Sequence, residues 1–436
     1  MRAALGLAGA LLVAGSVPAP SARAVEPVTP EPVRILLLGD SVTQGSAGDW
    51  TWRYRLWQHF DAAGVPVDLV GPRSDLWDDI AKVHGSTDYV DADFDTDHAA
   101  RWGMQVQVPD IPATRLVEEH HPDVVVAMLG VNDLLLGATS EAVARRTADL
   151  VTEVRAADPD VDLVLAEATQ SWFPGVRDFN TLLDEVASTA DEPGSRVVVA
   201  QTATGYDKYA DTWDTSHPNA RGEVRIAAAV ADGLSGIGIG PPAVRPLPVV
   251  PLGPRRGAEV RADAGIGAAT LRWTGPPGAT AQYVWQRDVT RGGPWRRLPS
   301  QVTGRSWTGG FLIPGHRYRF RLQPVKGDDE PGGAVFSNWV TAVPFRPPAA
   351  PRRLAADAGR RCVTLTWHEP RFATRYVVSR LTTSGWRVLG RVQRPRFGAD
   401  RLPTTRTWRF RVASWHEDVR GQSARLDVRR TSGRCR

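Results

Sequence analysis

Cysteine and lysine are both scarce in this chain of 436 residues. Cys362 and Cys435 are the only cysteines, so neither a disulfide-dense scaffold nor a zinc site built on cysteines is available, although one disulfide can form. Lysine occurs only at Lys82, Lys208 and Lys326, so nearly all the positive charge is arginine. With 42% hydrophobic and 23% charged residues, the composition is that of a folded protein of several domains. It excludes a disordered or collagen-like chain.

Long apolar runs are also rare, and the one that stands out is at the start of the chain. Arg2 precedes an apolar run from Ala3 to Val17, and the small-residue triplet Ala22-Arg23-Ala24 follows it. This pattern predicts a secretory signal at residues 1–24, cleaved after Ala24. The alternative is a membrane anchor, but the run is shorter than the roughly 20 residues of a spanning helix. We therefore expect a secreted, extracellular protein with no transmembrane segment.

The net charge of +5 conceals two halves of opposite sign. Residues 25–240 contain 36 acidic and 15 basic residues, a net charge of −21, whereas residues 241–436 contain 12 and 36, a net charge of +24. This asymmetry predicts separate domains with separate partners. For the basic half we expect an anionic cell-wall polymer or polysaccharide, because export and the lack of a nucleic-acid-binding motif argue against nucleic acid. Alternatively, the two halves dock on each other.

Strand-like and helical patterns alternate through the acidic half, which predicts an α/β fold with a parallel sheet covered on both faces. The predicted strands are Val33–Leu38, Val67–Val70, Val124–Leu129, Leu163–Ala166 and Val197–Ala200. The predicted helical segments lie around residues 51–63, 110–120, 140–157, 178–190 and 220–232. In such a sheet the ligand site lies beyond the carboxyl ends of the strands. Functional residues should therefore follow strands directly.

The basic half has a different sequence pattern, which begins with a Pro/Gly-rich linker at residues 236–257. After the linker, short alternating segments predict two all-β sandwiches, at residues 258–346 and 352–436, with a linker at residues 347–351 between them. The repeat is carried by aromatic residues at similar spacing, which are Trp273, Tyr283 and Tyr318 in the first copy and Trp367, Tyr376 and Trp408 in the second.

Three short motifs follow predicted strands of the acidic half. Gly39-Asp40-Ser41 places a serine hydroxyl at the sheet edge, close to backbone N–H groups that can stabilise an anion. Gly130-Val131-Asn132-Asp133 places an amide donor at the same edge. In the segment from Asp214 to His217, the three-residue spacing lets the carboxylate reach the imidazole and fix its tautomer. Together these residue types indicate nucleophilic catalysis on a serine.

These motifs resemble those of the SGNH/GDSL hydrolases, whose pattern is a GDS serine, a glycine, a GxND asparagine and a DxxH pair. Gly39 to Gly45 (GDSVTQG) is similar to the first block, Gly103 stands at about the place of the second, and Gly130–Asp133 and Asp214–His217 match the third and fourth. The resemblance spans roughly residues 33–233, so residues 25–235 are interpreted as the hydrolase domain. It implies a flavodoxin-like three-layer α/β fold.

The resemblance also implies the roles of the site residues. Ser41 would be the nucleophile, His217 the general base and then acid, and Asp214 the group that orients His217. The oxyanion hole would consist of the Ser41 and Gly103 N–H groups and the Asn132 side chain. No metal or cofactor is required. We interpret Asp40 as a helix cap in preference to a catalytic acid.

The substrate follows less directly from the sequence. Four tryptophans lie in or beside loops at the predicted site, and they either stack on sugar rings or simply pack; they are Trp50, Trp102, Trp172 and Trp213. The block from Trp52 to Val70 resembles acetyl-xylan-esterase-type members of the family, which implies a short-chain O-acyl ester of a carbohydrate. The alternatives are a lipase acting on longer acyl chains and a cell-surface binding protein with a vestigial hydrolase domain.

The basic half resembles tandem fibronectin type III domains. Trp273 and Tyr283 are similar to residues of their second and third strands, and Leu312 to Tyr318 is similar to the tyrosine corner. In the second copy Trp408 stands where that tyrosine would be, and an indole cannot make the same hydroxyl bond. In such a sandwich Cys362 and Cys435 would lie at the same end, which implies a disulfide between them.

Overall fold

The computed structural model describes residues 31–330 and 335–434. The predicted signal segment at residues 1–24 lies outside these residues. So does Cys435, and its pairing with Cys362 stays a prediction. Within the described residues, no helix is both long and apolar enough to cross a membrane.

The first half of the chain is built on a parallel sheet, as the alternating pattern predicts. Its elements in chain order begin with β1 (Val33–Gly39), α1 (Ser41–Gln44), α2 (Trp52–Ala63), β2 (Val67–Val70), β3 (Leu76–Asp78), β4 (Val83–Ser86) and β5 (Ala99–Ala100). They continue with α3 (Ala113–His120), β6 (Val124–Met128), α4 (Val131–Leu135), α5 (Ser140–Ala157), β7 (Asp162–Ala166), α6 (Val176–Ala190), β8 (Val197–Ala200) and α7 (Ala220–Gly236). The sheet order is β2-β1-β6-β7-β8, and β5 pairs with the end of β1.

The sheet is covered by helices on both faces, so its strands are apolar at successive positions. Every residue of β6 is buried, and alternate side chains enter two separate cores. Val125 and Ala127 pack with α3, α5 and α6, whereas Val124, Val126 and Met128 pack with α2 and α7. The predicted α/β class is therefore confirmed, with its functional edge at the carboxyl ends of β1 and β6.

Short elements that the sequence pattern does not predict lie at this same edge. The helices α1 and α4 are only four and five residues long, and the hairpin β3–β4 lies between β2 and β5. They are too short to show a hydrophobic period. Each supplies residues to the site described below, so the least periodic segments carry most of its geometry.

The second half of the chain forms two β-sandwiches. The strands of the first are β9 (Glu259–Gly265), β10 (Ala268–Thr274), β11 (Ala281–Asp288), β12 (Arg296–Thr303), β13 (Ser306–Gly309), β14 (Tyr318–Val325) and β15 (Val340–Ala342). Those of the second are β16 (Arg352–Ala358), β17 (Val363–His368), β18 (Arg375–Thr382), β19 (Gly385–Val392), β20 (Arg396–Ala399), β21 (Thr407–His416) and β22 (Val419–Arg429). Each sandwich packs a three-stranded sheet on a four-stranded one, β13-β10-β9 on β12-β11-β14-β15 and β16-β17-β20 on β19-β18-β21-β22.

The corner of each sandwich is closed by a side-chain hydrogen bond. In the first, the Ile313 N–H donates to the Tyr318 hydroxyl at 3.1 Å, which is the predicted tyrosine corner. In the second, Trp408 Nε1 donates to the Pro403 carbonyl at 2.9 Å, also across five residues. The tyrosine hydroxyl accepts a hydrogen bond from the backbone, whereas the indole N–H donates one to the backbone.

The aromatic repeat is less regular than its spacing suggests. Tyr376 is fully buried in the second core, whereas Tyr283 lies on the outer face of β11 and Val284 takes the core position. The spacing from the preceding tryptophan is ten residues in the first copy and nine in the second. Because strand side chains alternate between faces, one residue of difference reverses the side on which the tyrosine lies.

Candidate active site

The serine predicted as the nucleophile lies at the junction between β1 and α1. Asp40 caps α1, because its carboxylate accepts the Val42 N–H at 2.9 Å. Ser41 is the first residue of α1, and its side chain lies at the carboxyl end of β1. The cap fixes the direction of the turn, and thereby the position of the serine hydroxyl.

The structure brings Ser41, His217 and Asp214 into one hydrogen-bonded chain. His217 Nε2 lies 3.1 Å from Ser41 Oγ, and His217 Nδ1 lies 2.7 Å from Asp214 Oδ2. Asp214 Oδ1 accepts the backbone N–H groups of Ser216 and His217 at 3.0 and 2.7 Å. The carboxylate is therefore fixed in place by its own loop while it orients the imidazole. This is the geometry in which a serine can transfer its proton to an imidazole.

The charge on Asp214 is maintained by the same contacts. Burial acts to raise its pKa, but the hydrogen bond and charge of His217, together with the two backbone N–H groups, outweigh burial and hold the pKa of Asp214 below its usual range. Asp214 thus remains an anion, and its charge favours the protonated form of the His217 imidazole. Thr215, between Asp214 and His217, has a φ of 70°, a left-handed conformation that is rare for a β-branched residue.

The predicted oxyanion donors differ in how they are engaged. Among the described residues, neither the Ser41 N–H nor the Gly103 N–H has a hydrogen-bond acceptor. The Asn132 amide donates to Asp40 Oδ2 at 3.2 Å and to the Met104 carbonyl at 3.0 Å. Its role in the oxyanion hole stays a prediction, in which a substrate oxygen takes the place of one of these acceptors.

Two residues hold the segment around Gly103. Asp133 accepts the N–H groups of Val106 and Gln107, both at 3.0 Å, and so fixes the backbone that follows Gly103. Gln44, in α1, accepts the Trp102 N–H at 2.7 Å through its side-chain oxygen. Gly103 itself has a φ of 79° and open space beside its Cα.

A buried arginine, missed by the sequence analysis, holds the end of α1. Arg53 is fully buried, and its guanidinium donates to the Thr43 and Gln44 carbonyls and to the Tyr89 hydroxyl. The only sequence signal is that Arg53 lies among aromatic residues of α2, which does not distinguish it from a surface arginine. Its partners come from segments on both sides of α2 in the sequence.

The four predicted substrate tryptophans occupy different positions. Trp102 stacks on His217 with 4.2 Å between ring centroids, and Trp213 stacks on it at 5.5 Å, but Trp213 is only 5% exposed. Trp172 donates its indole N–H to the Thr215 carbonyl. Trp50 packs on Tyr54 and Arg55.

A further tryptophan, which the sequence analysis did not single out, extends the stack. Trp77 of β3 lies 5.5 Å from Trp102, nearly parallel to it. The rings of Trp77, Trp102, His217 and Trp213 therefore form one continuous row.

Two acidic residues near the site, Asp211 and Asp40, are buried. Asp211, whose spacing to His217 does not fit the family pattern, is fully buried and paired with Arg221 and Arg225. Burial raises the pKa of Asp40 to about 7, against the effects of the Val42 N–H and His217. Within residues 31–330 and 335–434, no cluster of His, Cys, Asp and Glu side chains is arranged to hold a metal ion.

Comparison with known families agrees with this geometry. The model of the GDSL-like lipase/acylhydrolase family matches residues 37–225. These residues form a GDSL-like lipase/acylhydrolase domain. The GDSL domain contains the three motifs named above and both hydrogen bonds of the Ser41-His217-Asp214 chain. The presence of this domain identifies the protein as a hydrolase of carboxylic esters.

Solved structures are similar to each half. A family 3 carbohydrate esterase from Talaromyces cellulolyticus is 26% identical over 47% of this chain and 97% of its own, with a TM-score of 0.41. The Clostridium thermocellum family 3 carbohydrate esterase is 24% identical over 48% and 97%, with a TM-score of 0.40. A segment of two fibronectin type III domains from chicken tenascin is 17% identical over 40% and 98%, with a TM-score of 0.21. A search of curated proteins gives no match.

Proposed function

We propose that the protein is a secreted serine esterase that hydrolyses short-chain O-acyl esters, above all acetyl esters, of carbohydrates. The observation that carries the esterase mechanism is the hydrogen-bonded chain from Ser41 Oγ through His217 to Asp214. The domains around it are proposed to be the signal at residues 1–24, the hydrolase at 25–235 and sandwiches at 258–346 and 352–436. Export rests on the N-terminal sequence pattern.

In the proposed reaction, Ser41 Oγ attacks the ester carbonyl while His217 Nε2 takes the serine proton. The oxyanion that forms is stabilised by the free N–H groups of Ser41 and Gly103 and by the Asn132 amide. Collapse of the intermediate breaks the bond to the alcohol, which leaves with the proton from His217. Water then attacks the acyl-serine by the same route and releases the carboxylic acid, restoring Ser41.

The carbohydrate part of the proposal rests on the row of rings. Trp77 and Trp102 are partly exposed and nearly parallel, and Trp102 contacts the catalytic imidazole. A sugar ring can pack its C–H face against such an indole while its ester group reaches Ser41. The buried Trp213 serves instead as support for His217.

The esterase mechanism is tested with Ser41→Ala on a short-chain aryl ester. We expect loss of at least about 10³-fold in kcat, because the nucleophile is removed. Ser188→Ala is the matched control, since Ser188 is an exposed serine of α6 whose hydroxyl bonds to the Glu185 carbonyl of the same helix. Full activity of Ser41→Ala would show that the proposed mechanism is wrong.

The substrate class is tested with a series of acyl chains from acetate to palmitate, measured beside acetylated xylan. A maximum at acetate with release of acetate from the polymer supports the proposal. A maximum at long chains would favour a lipase, and no hydrolysis of any ester would favour a vestigial domain.

We also propose that the basic half binds an anionic polysaccharide, through the outer face of the first sandwich. Three arginines on this face, Arg287, Arg319 and Arg321, lie over aromatic rings, the closest at 3.5 Å from a ring centroid. Among the described residues none of these three is ion-paired with a carboxylate. Several guanidinium groups without carboxylate partners on one sheet face favour a polymer of repeated anions over a single small ligand.

Binding is tested with polygalacturonate and, as the neutral polymer, xylan. The full chain should bind polygalacturonate and be released by raised salt, and the double variant Arg319→Gln/Arg321→Gln should bind at least about tenfold more weakly. Arg409→Gln is the control, because Arg409 is exposed and paired with Asp427 in the second sandwich. Equal binding of the double variant and the wild type would refute the assignment of this face.

A further inference from the structure

A turn of the first sandwich packs against the loop that carries the catalytic acid and base. The turn, residues Lys326–Asp329, follows β14 and is closed by backbone hydrogen bonds between its two ends. The Asp328 N–H donates to the carbonyl of Trp213, the residue before Asp214, at 3.1 Å. A Cβ added to Gly327 would lie 1.7 Å from that same carbonyl oxygen. The two backbones are therefore in direct contact.

Lys326 continues this contact toward the loop that follows the nucleophile helix. Its side chain is 6% exposed, and its ammonium group donates to Ser46 Oγ at 2.5 Å and forms an ion pair with Asp49. Ser46 and Asp49 also hydrogen-bond to each other, and Ser46 follows α1 by one residue after Gly45. A buried lysine carries its charge at a cost unless it is paired, so this position requires the Asp49 partner.

The same ammonium group lies 5.0 Å from the centre of the Trp213 ring. Trp213 in turn stacks on His217, and its backbone N–H donates to the His217 carbonyl at 3.0 Å. Lys326 thus contacts Ser46 and Asp49, in the loop that follows α1, and also Trp213, which packs on His217. It is placed to fix the distance between the two segments.

A second contact of the first sandwich reinforces this arrangement. Gly278 packs against Gly48, where an added Cβ would lie 2.6 Å from the Gly278 nitrogen. The sandwich therefore meets the GDSL domain at the backbone of the segment 46–49 as well as at Trp213. Both segments adjoin the proposed catalytic residues.

We propose that the first sandwich completes the active site, with Lys326 as a positioning residue that holds the Asp214–His217 loop in register with Ser41. The inference rests on the proposed serine mechanism. It predicts that the loss of the Lys326 contacts lowers the rate of the chemical step more than it weakens substrate binding, because a misplacement of about 1 Å in a catalytic group can cost about 10²-fold.

The test compares the full chain with Lys326→Met, Asp49→Asn and the double variant. For Lys326→Met we expect kcat on an acetyl aryl ester to fall by about 10- to 100-fold, with KM changed by less than about threefold. The double variant should lose about as much as Lys326→Met alone, because the two residues act as a pair. Lys326→Arg, which keeps a cation, should recover part of the loss.

The scarcity of lysine supplies a control and a second measurement. Lys82 is exposed and pairs with Asp79, so Lys82→Met should leave kcat unchanged. An amine-reactive reagent applied to the native wild type should label Lys82 but not Lys326, and Asp49→Asn should increase labelling of Lys326. If Lys326→Met does not fold, kcat and KM of Lys326→Arg and Asp49→Asn decide the question.

The outcomes separate this inference from the proposed function. Activity that survives Ser41→Ala would overturn the mechanism itself. If Ser41→Ala is inactive but folded Lys326→Met keeps kcat within about twofold of the wild type, or loses activity through KM alone, the positioning role is wrong while the esterase mechanism stands.

Discussion

The two β-sandwiches share one architecture and differ most at a single connection. In the first, residues 326–339 join β14 to β15, and the start of this connection contacts the loop that contains Asp214 and His217. In the second, β21 and β22 are joined by a turn of only two residues, Glu417 and Asp418. Near that turn, the His416 ring packs at a tilt on Phe345 of the first sandwich, with 3.8 Å between ring centroids. The sheets provide the packing, and segments at or between the strand ends make the contacts with other parts of the chain.

A variant within the GDSL domain provides the reference against which the fall in kcat caused by variants of the first sandwich is compared. Asn132→Ala should lower kcat by about 10²- to 10³-fold, as the loss of one oxyanion donor typically does. The measurement is the steady-state rate on a short-chain ester. An effect smaller than that of Lys326→Met would show that Asn132 serves Asp40 and Met104 rather than the substrate.

Matched glycines in the two sandwiches sharpen the comparison most directly. Gly327 and Gly385 both have positive φ, at 53° and 103°, but an added Cβ meets Trp213 only in the first case and open space in the second. Both alanine variants should lose about 1 kcal/mol of stability from the backbone conformation. Only Gly327→Ala should also lower kcat, by about tenfold or more. Equal rates for the two variants would contradict the role of the docked turn.

The two corner residues compare the sandwiches in stability rather than rate. Tyr318→Phe removes the hydroxyl that accepts the Ile313 N–H and should cost about 1 kcal/mol. Trp408→Phe removes both the bond to Pro403 and part of a buried ring, so it should cost about 2–3 kcal/mol. Denaturant unfolding of each variant measures the difference. If Trp408→Phe costs less than Tyr318→Phe, the indole bond contributes nothing.

The smallest expected effect concerns pH. Burial raises the pKa of Asp329, in the docked turn, to about 6, so the native state binds this proton more tightly than the unfolded chain. The stability contributed by Asp329 is therefore greatest below about pH 4 and is lost as the pH rises to 6. Relative to the wild type, the Tm of Asp329→Asn should rise by about 1–3 °C between pH 4 and pH 7.

Asp427 of the second sandwich is the control for this pH dependence. Its hydrogen bond with Arg409 lowers its pKa, so its contribution is complete above the unfolded value and is lost only as the pH falls below about 4. Between pH 4 and pH 7 the Tm difference between Asp427→Asn and the wild type should stay constant. A rise equal to that of Asp329→Asn would show that the pH dependence does not come from the buried position of Asp329.

The parallel sheet could be predicted from sequence because its signal is local and repeated. Buried strands such as Val124–Met128 are continuous apolar runs, and the motifs around Ser41 and Asn132 follow strands directly, whereas His217 lies in the long loop between β8 and α7. The same applies to the alternating strands of the sandwiches. Even there, the pattern could not predict on which face of the sheet Tyr283 lies, because a difference of one residue in spacing reverses the face.

The supporting contacts of the site could not be predicted, because their partners lie far apart in sequence. Lys326 is 277 residues from Asp49, and nothing in its neighbourhood marks it as buried. Arg53 and Gln44 act through backbone carbonyls and N–H groups, which leave no pattern of residue types. The charge asymmetry did raise the possibility that the halves dock, but it could not indicate that a buried lysine takes part in the contact.

The stack of rings on His217 also has a stereochemical consequence. With Trp102 and Trp213 packed against it, and with Nδ1 held by Asp214, the imidazole cannot turn over during a catalytic cycle without breaking these contacts. In the proposed mechanism, the proton that His217 takes from Ser41 must therefore leave from the same nitrogen and in nearly the same direction. Every leaving alcohol, and every incoming water, has to approach along that one line, which limits the orientations in which an ester can react.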